Sequence, residues 1–204
     1  MPAPRPLRPP IEPPAPLHDQ ALESLRFIRS TMEASTAFTA VPGRGMVALG
    51  VIGLAAAVLA GRPGTPETWL STWIAAGAIA TLVGLVAMAL KARAADSPLL
   101  VGSGRRFALA FLPPVLAGAA LTLALARAGR LEMLPGLWML LYGVGALAGG
   151  SFSVRAIPVM GGCFALGGVA MLFAPPAWGD VALGATFGLL HVAFGVVVWR
   201  RHGG

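Results

Sequence analysis

The sequence predicts an all-α fold, a polytopic membrane bundle of six transmembrane helices preceded by an interfacial amphipathic helix. Three observations predict it. Six apolar stretches separated by short connections fill the chain beyond residue 44. About 20 apolar residues at 1.5 Å rise cover the hydrocarbon core, where only helices or closed barrels satisfy their own backbone. The composition, with 56% hydrophobic and 11% charged residues and 27 glycines in 204 positions, lies far below the charge content of a soluble domain and has the glycine enrichment of membrane helices. The alternating pattern of barrel strands is absent.

Residues 1–16 carry eight prolines and no helical period, which predicts an extended tail unable to bury a core. The first apolar stretch begins 45 residues in, too far from the start for a cleavable signal peptide. Residues 17–44 read as the amphipathic helix and its turn. Asp19 is placed to cap a helix to about Val41, with Leu22, Leu25, Ile28 and Met32 on one face and Glu23, Arg26, Ser30 and Glu33 on another, until Pro42 and Gly43 end it. Such a helix lies on the membrane surface. Its apolar face is also the candidate docking surface for a cytoplasmic or membrane protein partner.

The spans in residues 45–204 run Met46 to Gly61, Ser71 to Leu90, Phe107 to Ala126, Met133 to Gly149, Ile157 to Phe173 and Val181 to Trp199. Each even-numbered span has tryptophan near its start, at Trp69 and Trp73, Trp138, and Trp178, and basic residues after its end, which suggests three helical hairpins. Interfacial tryptophan and flanking arginine also arise on unrelated membrane helices. Pro113 and Pro114 remove hydrogen bonds to Leu109 and Ala110 in the third span, as in a kinked helix.

Charge sets the expected orientation. With the amino terminus inside, 12 basic residues fall on the cytoplasmic side against Arg62, Arg127 and Arg130 outside, so both termini are expected in the cytoplasm. The net charge of +7 is thereby topology information, and without a basic stripe interleaved with aromatics it gives no sign of nucleic-acid binding. Arginine makes up 14 of the 15 basic residues, and with the alanine and glycine excess this fits a bacterial inner membrane protein from a GC-rich genome. Cys163 is the only cysteine, so no internal disulfide forms.

Within the spans, Trp138, Tyr142, Gly145 and Gly149 follow one helix line, as do Gly184, Gly188, His191 and Gly195, and Trp73, Gly77, Thr81, Gly84 and Met88. Small residues three or four apart let backbones approach, so these lines read as helix-packing seams. His191 is the ionisable side chain deepest in a span apart from Tyr142. It should face the bundle and take Tyr142 or a backbone carbonyl as partner. One hydrogen bond of a neutral histidine is the structural reading; a substrate contact, proton site or metal ligand is the functional one.

The acids separate classes of function. All eight, Glu12, Asp19, Glu23, Glu33, Glu67, Asp96, Glu132 and Asp180, lie in the tail, connections or span ends. Nothing matches the intramembrane carboxylates of proton- and sodium-coupled carriers. The GGSFS sequence at Gly149 to Ser153 shares a glycine-serine pattern with rhomboid-type intramembrane proteases, but Ser151 lies at the end of its span, roughly 12 Å along the axis from the level of His191, and Phe152 replaces the following glycine. No paired-histidine zinc motif, nucleotide loop or acidic metal cluster occurs, so no enzyme, metal site or cofactor is expected. Gly102 to Arg106 reads as ordinary charge placement, with a lipid phosphate site as the sharper alternative.

FIRSTMEASTAFTAVPGRGMVALG at Phe27 to Gly50, PGLWMLLYG at Pro135 to Gly143 and SFSVRAIPVMG at Ser151 to Gly161 resemble an uncharacterised family of small six-span bacterial inner-membrane proteins. The resemblance covers most of the chain beyond Leu17 and implies the architecture, not a chemistry. From the residues themselves the leading expectation is a non-catalytic interaction or sensory module, with the bilayer as its surroundings and room for a homo-oligomer. The alternative is a passive channel or carrier of a small solute or lipid through the interior around Tyr142 and His191.

Overall fold

A computed structural model describes residues 21–28, 38–94 and 101–202. It holds six helices long and apolar enough to cross a membrane, and the protein is an all-α, multi-pass membrane protein. Helix α1, residues 21–28, forms a unit apart from the bundle. Leu22, Leu25 and Ile28 are exposed on it, and Met32 lies outside the described residues.

The helix does not extend to Val41. Residues 38–42 are non-helical and form a strap across one end of the bundle. Phe38 N–H donates to the Phe152 carbonyl at 2.7 Å, the Ser153 hydroxyl donates to the Phe38 carbonyl at 2.6 Å, and Phe38 makes a single parallel bridge to Ser153. Phe38, Ala40 and Val41 are buried. Pairing with the loop at residues 152–153 outweighs the helical pattern here, because buried backbone polar groups must find partners. Lys91 Nζ closes the same end, donating to the Val41 carbonyl at 2.9 Å and the His202 carbonyl at 3.0 Å. We call this the basic end.

Helix α2, Gly43–Ala60, follows Pro42 directly. The connection at the opposite, tryptophan end is short because Thr65 caps α3, Pro66–Ala94: the Thr68 N–H donates to Thr65 Oγ1 at 3.2 Å, with Pro66 at the first helical position. Helix α4, Gly102–Arg127, runs unbroken through Pro113 and Pro114. It ends where Gly129 adopts φ +68° and the Arg130 N–H reaches back to the Leu125 carbonyl at 2.9 Å, a left-handed closure that suits glycine. A 3₁₀ turn, Leu131–Met133, leads into α5, Leu134–Gly150, and α6 spans Ala156–Phe173. The last span begins with a 3₁₀ turn, Pro176–Trp178. It continues as α7, Gly179–Leu183, a π-helical segment, Gly184–Leu190, and α8, His191–His202. Most of these helices exceed the expected spans, because the backbone ladder continues into the headgroup region where charged side chains are tolerated.

Two close helix pairs form the centre, α5 on α6 and α2 on the last span; α3 packs on α2 and α4 on α5. The first two expected hairpins are thus closely packed pairs, whereas in the third α6 meets the last span less closely than it meets α5, and α8 packs chiefly on α2. Glycine makes both central pairs close. A Cβ added at Gly143 would collide with the Ala165 and Gly161 backbone, at Gly168 with Leu140, and at Gly161 with Leu147 N at 2.6 Å. In the other pair it would meet the Phe187 carbonyl 2.5 Å from Gly53, the Gly188 carbonyl 2.7 Å from Gly50, and Val47 N 2.8 Å from Gly195. In lipid, where tails are as apolar as side chains, such backbone approach is a main source of helix association.

Candidate functional site

The interior of the bundle is aromatic. Tyr142 on α5 meets Phe111 of α4 edge-on at 5.6 Å, Phe164 of α6 at 4.8 Å and Phe187 of the π-helical segment at 5.1 Å between ring centroids. Phe107 and Phe38 extend this column to the basic end, at 5.7 and 5.2 Å between successive rings. His191 is 2% exposed and lies against Tyr142, Phe164 and Phe187.

Tyr142 and His191 are hydrogen-bonded, the phenol oxygen 2.8 Å from Nε2. His191 Nδ1 is buried and has no hydrogen-bond partner among the described residues. A neutral imidazole has one N–H. With the Tyr142 O–H donating to Nε2 that N–H sits on Nδ1, and with Nε2–H donating to the phenol oxygen Nδ1 is a bare acceptor. The π-helical segment lies directly before His191, and its wider turn, with i→i+5 bonds, changes the angular step along the helix.

The glycine lines separate accordingly. Gly184, Gly188 and Gly195 face α2, against Ala57, Leu54 and Val47, whereas His191 faces α5 and α6. Gly145 and Gly149 lie against Phe111 and Phe107 of α4. Trp138 donates from Nε1 to Thr122 Oγ1 at 2.8 Å, and that hydroxyl donates to the Gly118 carbonyl at 2.7 Å. The α3 line is different. A Cβ at Gly77 would meet nothing within 4 Å, and Gly77 and Thr81 are exposed, so that stretch is not a seam.

Apart from His191 Nδ1, the interior polar groups close on one another or on backbone. Thr186 Oγ1 donates to the Ala182 carbonyl at 2.7 Å. The serines near the end of α5 are both occupied by backbone: Ser151 Oγ donates to the Ala148 carbonyl and Ser153 Oγ to the Phe38 carbonyl. No group of three or more His, Cys, Asp or Glu is placed to hold a metal ion among the described residues.

At the tryptophan end the structure brings together residues that no sequence pattern pairs. Trp69 and Trp73 both donate from Nε1 to Asp180 Oδ1, at 2.7 and 3.2 Å. Trp69 stacks on Trp138 at 5.6 Å with 3° between the planes. The partners are 111 and 107 positions apart in the chain, and interfacial tryptophan alone predicts a depth, not a partner. Comparisons with protein-family models, curated proteins and solved structures find no match for this chain.

Proposed function

We propose that this multi-pass protein is a non-catalytic interaction or sensory module of a bacterial inner membrane, similar in kind to the small six-span family that its sequence resembles. The segment before the bundle engages a cytoplasmic or membrane partner, and the bundle anchors it. The observation that carries this reading is the strap. Residues 38–42 are built into the basic end through backbone pairing with Phe152 and Ser153 and through Lys91, so a load on the preceding segment is borne by the bundle. Beneath the strap the core is packed with rings, and Tyr142 and His191 pair with each other. This supports interaction over passive conduction, which needs a polar line.

The strap locates the cut that tests the proposal. Deleting residues 1–36 should leave the bundle folded, since Phe38 and its partners remain, and should remove a crosslinked partner seen in native membranes with the full chain. The same crosslinks from both forms would reject docking through this segment.

Orientation is the second test. With both termini cytoplasmic, reporter fusions at Gly64, Arg130 and Gly179 should report periplasm, and fusions at Ser97, Ser153 and Gly204 cytoplasm, as the asymmetry of 12 basic residues against three requires. An inversion across one span would overturn the segment count.

A further inference from the structure

The strap and the end of the last span meet on one side chain. Lys91 Nζ donates to the Val41 carbonyl of the strap at 2.9 Å and to the His202 carbonyl of α8 at 3.0 Å. The second of these is among the carbonyls that a helix leaves unpaired at its end, where a cation also suits the helix dipole. Just beyond the strap, α2 is fixed against the same helix. A Cβ at Gly43 would run into the Trp199 backbone, and the Arg44 guanidinium lies over the Trp199 ring at 4.9 Å. Trp199 is thus a fixed point, and the turn after it, Arg200 to His202, is the part that Lys91 holds. The strap is the first part of the bundle that a load meets, since the separate amino-terminal unit ends at Thr36. Its seat is one bridge to residues 152–153 and one ring contact, Phe38 on Phe107 at 5.2 Å.

We propose that the strap is a latch on the last span: when Phe38 leaves its seat, the Val41 carbonyl leaves Lys91, and the turn Arg200 to His202 is released with it. The physical link is the ammonium. Lysine carries a strongly hydrated point charge on a flexible stem, so on losing the part-buried Val41 acceptor it swings to water and gives up the His202 carbonyl as well. Release changes how two arginines and a histidine are presented at the basic end, which gives a sensory module its output. The docking reading supplies the load, so the latch rests on that reading; the coupling of strap to α8 belongs to the chain alone and is measurable without a partner.

Amide hydrogen exchange on the full chain in nanodiscs, with no partner added, reads both ends of the latch at once. Ser153→Ala removes the hydroxyl that holds the Phe38 carbonyl. It should raise exchange about fivefold, the factor for one net hydrogen bond, both at residues 38–41 and at Arg200 to His202, with the middle of α6 unchanged. Lys91→Met keeps the stem and removes the ammonium. It should raise exchange at Arg200 to His202 to a similar level, and adding Ser153→Ala should then loosen the strap further with no further change at those three residues. Phe38→Ala, with a melting curve to confirm folding, is the stronger release and should exceed Ser153→Ala at both ends. A strap that loosens in Ser153→Ala or Phe38→Ala while Arg200 to His202 keep their protection would overturn the latch. So would an added effect at Arg200 to His202 in the Lys91→Met background, or a strap that neither variant loosens. Each of these results leaves the docking reading standing, because that reading fails on the crosslinks of the shortened chain and not on exchange.

Discussion

Gly143→Leu is expected to lower stability in detergent by about 3 kcal/mol or more. A Cβ at this position already overlaps the Ala165 backbone and lies 2.7 Å from the Gly161 carbonyl. Backbone cannot rotate away as a side chain can. Leucine must therefore push α6 off α5 along their glycine-lined contact, with loss of the packing at Phe164, which is fully buried. Gly77→Leu provides the contrast, since nothing lies within 4 Å of its added Cβ and a leucine on a lipid-facing surface is unpenalised. Thermal unfolding of both variants checks the claim. Equal stability would show that backbone proximity does not hold the pair together.

These two glycines also show how far the sequence could be read. Span number and helical class follow from apolar length alone, which is a local property, and the structure has them. Which seam faces which helix is not local. The three- and four-residue lines brought out Gly145, Gly149, Gly184, Gly188 and Gly195, all of which pack closely, but the same rule admitted Gly77, which does not. It passed over Gly136, Gly143 and Gly150 on α5 and Gly161 and Gly168 on α6, whose seven-residue spacing is the better signal for a long, nearly parallel contact. His191 was expected on the glycine line because an even 3.6-residue turn was assumed; the π-helical segment at Gly184–Leu190 breaks that assumption just before the histidine. The strap and the Trp69–Asp180 contact were illegible for another reason. Both join residues more than 100 positions apart, and no periodicity encodes such pairs.

Tyr142→Phe and His191→Leu are each expected to destabilise the protein by about 2 kcal/mol, and the double variant by about 3 kcal/mol, less than the sum of the two. Each single change leaves one buried polar group, the Nε2 lone pair or the phenol hydroxyl, without its partner 2.8 Å away, and an orphaned buried group is penalised by roughly 1–3 kcal/mol. Removing both ends together leaves neither orphaned, so the cycle should show a coupling of about 1 kcal/mol, within the range measured for hydrogen bonds between membrane helices. Non-additivity of this kind is the mark of direct contact. The ring packing survives in the double variant, because phenylalanine keeps the contacts of Tyr142 with Phe111, Phe164 and Phe187. The same variants separate the two functional readings. If the pair only locks α5 to the last span, neither His191→Gln nor Tyr142→Phe should change solute leakage from reconstituted vesicles between pH 5 and 8. A carrier working through His191 would instead show a pH-dependent flux that His191→Gln abolishes while the bundle stays folded, and that result would displace the interaction reading proposed above.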